Sequence, residues 1–250
     1  MNSNRRVILS VAASALALSG LVVSSQAAAQ QKAAKPLSIV VYGGSGNIGS
    51  RIVNEAAARG HMVTVVDKNP KPELAPKGVK IVTGDVFDKQ DILKNIAGAD
   101  ALVSSVVVRP APTVDFALRV VQSEVEALRA QTGPKKTRLL VVGGASSLLN
   151  AEGKRIRDTR PARPPDGEAS SSVDSLDWLR AEVKDVAWTF FSPGGNISAG
   201  TRTGKFRLGT DQILVDAQGK SAISMEDYAV AMVDEIEKSQ FINKRFTAGY

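Results

Sequence analysis

A chain of 250 residues, 43 % hydrophobic and 23 % charged, has the make-up of an ordinary globular protein, with length for one α/β domain and too little for two comfortable ones. The formal charge of +7, two units of it from Arg5 and Arg6, suits an anionic small ligand, while scattered basic residues and 5 % aromatics argue against nucleic acid. The lack of cysteine excludes disulfides, thiolate metal ligands and a cysteine nucleophile; with His61 as the sole histidine, no metal site is expected.

Residues 1–29 read as a secretory signal. A polar, positive start (Asn2 to Arg6) precedes an apolar run from Val7 to Val23 and a small-residue stretch from Ser24 to Ala29, with cleavage expected after Ala29 or Ala27. The run of about 17 residues is at the lower limit for crossing a bilayer. Cleavage and export to the periplasm, with no stable membrane association afterwards, is the expectation; an uncleaved membrane anchor is the alternative. Arg5-Arg6-Val7-Ile8-Leu9 resembles a twin-arginine signal, a route that carries folded proteins with cofactor in place. Paired arginines also occur in general secretory signals, so the export route stays open.

Residues 30–36 form a polar linker, and residues 37–250 are expected to be one nucleotide-binding domain. Leu37 to Tyr42 is a short β-branched run ending in glycines, the pattern of a buried parallel strand. Ile48 to Arg59 has helical spacing and stops at Gly60. Met62 to Val66 and Val79 to Val82 are the next strands, Asp88 to Ala97 a helix, Ala101 to Val108 the fourth strand, Thr113 to Ala130 a long helix and Arg138 to Val142 the fifth strand. The Pro-, Arg-, Gly- and Ser-rich stretch 150–172 reads as a surface loop. Val173 to Ala181 is a helix, Ala187 to Phe191 the sixth strand, and Gly200 to Gly219 a set of short strands and turns. Ser224 to Lys238 is a final helix with Ser224 as N-cap and Asp227 in the capping-box position. This alternation predicts a Rossmann-type, doubly wound parallel sheet with a small C-terminal extension on the substrate side.

A pyrophosphate needs backbone N–H donors at close range and a helix N-terminus behind them. Gly43, Gly46 and Gly49 stand in G-x-x-G-x-x-G spacing between the first strand and the first helix, so Gly43, Ser45, Gly46, Asn47, Ile48 and Gly49 are assigned to the cofactor phosphates. At the end of the second strand, Asp67 could accept from both ribose hydroxyls of NAD, and Lys68 could instead pair with the 2′-phosphate of NADP. Asp67 tilts the choice towards NAD. Asp85 and Val86 follow the third strand and are placed to meet the adenine; Ser104 and Ser105 fall near the nicotinamide ribose.

Several segments together resemble a known family: Val41 to Gly49, Gly84-Asp85-Val86-Phe87-Asp88, Leu140 to Leu148, Trp188 to Pro193, Thr203 to Gly209 and Ile223 to Ala229. They are similar to the atypical short-chain dehydrogenase/reductases that bind NAD(P)H, and among them to the branch related to flavin reductases and biliverdin reductase B. The resemblance implies that Pro193 lies against the nicotinamide and that Ser146 sits beside the reacting ring. Near the ribose the sequence departs from the branch, where an Arg stands at the position of Lys68 and an apolar residue at that of Asp67. A secretion signal is also unusual for the group.

Ordinary short-chain dehydrogenases use a Tyr-x-x-x-Lys pair on the helix after the fifth strand. Tyr42, Tyr228 and Tyr250 are the only tyrosines, and none stands in that pattern, which disfavours alcohol or ketone chemistry. Hydride transfer to FMN or FAD, as a small-molecule acceptor, demands positioning and water exclusion rather than an acid. Ser146, then Ser147, are the candidate hydrogen-bonding residues there. The expected function is therefore an NAD(P)H-dependent reductase of a flavin or similar planar acceptor. Its alternatives are a non-catalytic NAD(P)-binding redox sensor or regulator and, more weakly, an epimerase/dehydratase-like enzyme. His61, at a helix-to-strand turn, is expected on the surface away from the cleft, and Trp178 and Trp188 in the core.

Overall fold

The first strand is apolar at every position because it is covered on both faces, and its alternation sends consecutive side chains to opposite layers. In the computed structural model, which describes residues 35–159 and 167–250, Ile39 and Val41 face one layer and Val40 and Tyr42 the other, all at most 2 % exposed. The expected signal segment and most of the linker lie outside the described residues, as does the stretch 160–166.

The strands are β1 (Ser38–Tyr42), β2 (Met62–Asp67), β3 (Lys80–Thr83), β4 (Ala101–Ser104), β5 (Arg138–Val142), β6 (Trp188–Pro193), β7 (Asn196–Ser198), β8 (Arg207–Gly209), β9 (Ala222–Ser224) and β10 (Lys244–Gly249). The helices are α1 (Asn47–Ala58), α2 (Lys89–Asn95), α3 (Phe116–Arg129), α4 (Gly167–Glu182) and α5 (Met225–Lys238). The main sheet runs β3-β2-β1-β4-β5-β6-β10-β8, and all neighbours are parallel except the β8–β10 edge pair. One core layer packs Val120, Val121 and Leu128 of α3 and Leu176 and Leu179 of α4 on Leu102, Leu139 and Trp188. The other packs Ile52 and Val53 of α1 and Tyr228 and Met232 of α5 on Val103, Leu140, Phe191 and Phe246. In that second layer Phe191 stacks on Tyr228 at 3.9 Å and on Phe246 at 4.0 Å between ring centres. The chain leaves β1 for β2 on one side, and β4 joins β1 on the other. That reversal opens a crevice at the carboxyl ends of the strands, where doubly wound sheets bind ligands.

Five expectations are corrected. β4 ends at Ser104 rather than Val108: the Ser105 N–H still bonds the Tyr42 carbonyl at 2.9 Å, after which the valine run leaves the sheet towards Pro110 and Pro112. α4 starts at Gly167, inside the stretch read as loop. Serines form weak helix, but the wholly buried Ser171 Oγ accepts the first-turn N–H of Leu118 in α3 at 2.9 Å, so tertiary packing outweighs propensity. A last strand, β10, sits inside the sheet between β6 and β8 where none was expected. His61 is buried, with the Leu37 N–H 3.2 Å from Nδ1 and Glu237 2.9 Å from Nε2; it does lie at the far end of α1 from the crevice. The capping box of α5 is half-made: Ser224 Oγ accepts from the Asp227 N–H at 3.0 Å, but the Asp227 carboxylate instead takes the amides of Thr203 and Gly204 and the hydroxyl of Tyr250. Trp188 is buried and Trp178 packs at the margin of the core. The extension appears as a two-stranded parallel sheet, β7 with β9, beside the crevice.

Candidate functional site

The glycine turn is built by contacts that exclude side chains. Gly43 takes φ +78°, and a Cβ on it would press into the carbonyl of Ser105, so β4 approaches β1 closely there. A Cβ on Gly49 would overlap the Gly43 carbonyl, the same oxygen that accepts the Gly46 N–H at 3.0 Å. Gly46 is exposed and serves as the N-cap of α1 with no side chain to offer, and nothing else caps the helix. The first-turn amides of Asn47 and Ile48 are thus left as donors at the positive end of the helix dipole, which is the requirement for holding a pyrophosphate.

Ser45 and Asp67 fasten this turn to β2. The Ser45 N–H donates to Asp67 Oδ2 at 2.7 Å, and Ser45 Oγ accepts the Lys71 N–H at 3.1 Å. Lys68 reaches from the end of β2 to Asp85, Nζ to Oδ2 3.2 Å, in a pair whose lysine is well exposed. The Phe87 N–H, aided by Lys68 and opposed by partial burial, holds the Asp85 carboxyl below its ordinary range.

Two clefts open along the carboxyl edge of the sheet and meet at Val106, Val107, Val108 and Phe116, which line both. The first has a volume of about 540 Å³, and Gly43, Gly46, Asp67, Lys68, Asp85, Val86 and Ser105 all line it. The second, about 300 Å³, is lined by Ile48, Ser146 and Pro193 together with Val142, Ala145, Ile156 and Ile197. Ser45, Asn47 and Gly49 shape the turn without lining either cleft.

Two further expected residues, Ser104 and Ser147, are turned away from the crevice altogether. Strand alternation sends Ser104 to the face beneath α3, where it is buried beside Glu124. Ser147 is rotated inward by the 3₁₀ turn Ala145–Ser147. Its Oγ accepts from Arg245 Nη1 at 3.0 Å and lies 3.4 Å from Ser192 Oγ, behind the second cleft. Arg245 is itself buried and paired with Asp211. Conversely, the cleft-lining residues Arg109, Phe116, Arg119 and Ser172 carry no motif in the sequence; the segment after β4 brings Arg109 to the second cleft, α4 brings Ser172 there, and α3 sets Arg119 at the first cleft and Phe116 between the two. Arg119 lies over the Phe87 ring, 5.4 Å from its centre, at the mouth of the first cleft.

Beneath the first cleft, Glu124 of α3 is wholly buried, and neither carboxyl oxygen finds a hydrogen bond of good geometry. Burial pushes its pKa up to about 8, an effect that the neighbouring Ser104 hydroxyl offsets only in part. Tyr42 on the floor of that cleft is likewise raised by burial, although Asn95 donates to its hydroxyl at 3.1 Å. Tyr228 is raised well above its ordinary value by burial and donates to the Phe191 carbonyl, and Tyr250 is bonded to Ser224 and Asp227.

A glycine turn with unspent amides at the reversal point of a parallel sheet defines a Rossmann-type dinucleotide-binding protein. The chain belongs to the NAD(P)H-binding family, whose model matches residues 43–239. It is 37 % identical over 220 residues to the uncharacterized protein YwnB of Bacillus subtilis, covering 84 % of this chain and 97 % of that one. Among solved structures it is similar to a "putative exported protein" from Burkholderia pseudomallei, 39 % identical with a TM-score of 0.75 over 86 % of this chain and 100 % of that one. It is also similar to a "putative NADH-flavin reductase" from Streptococcus pneumoniae, 30 % identical, TM-score 0.74, over 85 % and 99 % of the two chains. A third, a "putative epimerase" from Bacteroides thetaiotaomicron, is 35 % identical with a TM-score of 0.77 over 86 % and 98 %.

Proposed function

We propose that the protein is an NAD(P)H-dependent reductase whose acceptor is a flavin or a similar planar ring. The observation that carries this reading is chemical. The second cleft, beside Pro193 and Ser146, is walled by aliphatic side chains, hydroxyls, the Phe116 ring and the Arg109 guanidinium, and no carboxyl, imidazole or phenol stands among the described residues that line it. All three tyrosines are committed elsewhere. A carbonyl substrate needs a proton at its oxygen as it is reduced; a flavin takes hydride at a ring nitrogen and draws its proton from water.

Bound NAD(P)H would supply the hydride from its dihydronicotinamide ring. The Asn47 and Ile48 amides would hold the pyrophosphate, and the Asp67 oxygen not bonded to Ser45 would accept from the adenosine ribose, which favours NADH. Pro193 and Ile48 would bracket the nicotinamide, while Val107, Val108 and Phe116 keep water from the reacting face. The test is steady-state oxidation of NADH and of NADPH with FMN, set beside a ketone panel, with direct titration of both cofactors. Turnover confined to flavins supports the reading. Tight cofactor binding without turnover on any acceptor would replace it with the non-catalytic sensor, which the same lack of an acid also permits. Activity on ketones or nucleotide sugars would refute it.

The tripartite pattern of residues 1–29, and the likeness to a protein named as exported, support a site of action outside the cytoplasm. Among the described residues no helix is long and apolar enough to cross a membrane. Cell fractionation with N-terminal sequencing tests this, a start at Ala28 or Gln30 being expected; recovery of the intact N-terminus in the membrane fraction would make the segment an anchor.

A further inference from the structure

Ser172, in the second turn of α4, lines the second cleft and is half-buried. Its Oγ accepts the Gly144 N–H at 3.0 Å, which fixes the oxygen against the end of β5 and uses one lone pair. The hydroxyl hydrogen has no acceptor among the described residues. The adjacent Ser171 is different: it is fully buried and turned to α3, where it accepts from Leu118. The cleft that Ser172 lines is walled mainly by aliphatic side chains, with Ser146 and Arg109 as its other polar side chains. Gly144 brings no side chain between its N–H and Ser172, and Gly143 is packed so closely on the Phe190 ring that a Cβ there would overlap it. A hydroxyl whose oxygen is held in place, and whose hydrogen can turn into a mostly apolar cleft, is a stronger donor to developing charge than it would be in water.

We infer that Ser172 donates a hydrogen bond to the hydride acceptor, at the atom on which negative charge grows. The inference rests on the reductase reading above and assigns the acceptor side of the same site. When hydride (two electrons and one proton) adds to N5 of a flavin, the negative charge settles over N1 and the C2 carbonyl. Ser172 meets that charge, keeps its own proton, and water supplies the neutralising one. Ser172 is thus a catalytic residue through contact with the acceptor, and Gly144 is the positioning group behind it.

The experiment titrates riboflavin into the protein saturated with NAD⁺, following the visible absorption of the bound flavin, and measures NADH oxidation with riboflavin in parallel. It uses wild type, Ser172→Ala, Ser172→Thr and Ser146→Ala. Ser172→Ala is expected to lose the spectral shift, to bind riboflavin about fivefold more weakly and to lower kcat by about tenfold or more. Its KM for NADH should stay unchanged and its thermal midpoint should fall by only a few degrees, from the lost tie to Gly144, and Ser172→Thr should restore most of both signals. Wild-type spectrum and kcat in Ser172→Ala would overturn the assignment while leaving the reductase reading intact. So would failure of folded Ser172→Thr to restore them, since a hydroxyl kept at that place would then not be what the flavin responds to. If wild type neither binds nor reduces riboflavin, both readings fall together.

Discussion

Replacing Glu124 with Gln should change how stability depends on pH more than it changes the structure. The carboxyl is wholly buried in α3 with no proper hydrogen bond, and its pKa is pushed up from 4.5 to about 8 by burial. In the unfolded chain it ionises near the ordinary value, so between these two values the folded protein binds the extra proton and stability falls as pH rises. The contribution is fully present below about 4.5 and exhausted above about 8. At roughly 1.4 kcal/mol per pH unit, the loss between pH 5 and pH 7 comes to about 2–3 kcal/mol. For a domain of this size that is a fall in melting temperature of roughly 5–10 °C. Glutamine keeps the shape and removes the titration, so the informative quantity is the difference between the wild-type and Glu124→Gln unfolding profiles from pH 5 to 9, by urea or heat. The variant should gain on the wild type steadily up to about pH 8. Parallel profiles would refute the reasoning and mean that Glu124 is hydrated or paired in solution.

Gly46→Val should weaken cofactor binding more than about tenfold, as read by calorimetric titration, because φ of −77° admits a side chain but its branches would enter the place of the phosphates. The melting temperature should fall by a few degrees at most, since a Cβ there meets the Gly43 carbonyl oxygen at 3.1 Å, and unchanged affinity would remove the phosphates from this turn. Gly49→Ala is the contrasting case: its Cβ would overlap the Gly43 carbonyl, so the turn must distort and both stability and affinity should drop, by about 1–3 kcal/mol in unfolding. Asp67→Ala should narrow the preference for NADH over NADPH and also loosen the turn through Ser45. An identical ratio of kcat/KM values in the variant would take Asp67 out of the site.

What the sequence discloses and what it hides have physical causes. The β1–α1 turn is legible because each glycine answers a local demand, a positive φ at Gly43 or a close approach at Gly49, which no other residue meets. Buried strands such as β5 are legible because both faces are covered and every position is apolar. The end of β4 is not, since Val106, Val107 and Val108 continue the apolar run while the backbone has already left its partners to wall the clefts. The start of α4 is hidden for the opposite reason: serines look like loop until Ser171 and Ser172 find amide donors on other elements. β10 opens with Lys244 and Arg245, charges that give no sign of an interior strand, yet Arg245 is buried because Asp211 and Ser147 wait for it. At the site, glycines and strand ends could be located from spacing, whereas Ser104 and Ser147 could not be told from Ser105 and Ser146. One step along a strand or a tight turn reverses the direction of a side chain.

The position of β10 ties assembly to competence. Residues 244–249 are the last described strand to be synthesised, yet they fill an interior slot beside β6, add Phe246 to the aromatic column and bring Arg245 up behind the Ser147 turn. Until that strand docks, β6 has a bare hydrogen-bonding edge, an invitation to pair with another chain, and the wall of the second cleft lacks its backing. A chain that has not finished folding could therefore close its hand on a dinucleotide well before it had anywhere sound to seat an acceptor.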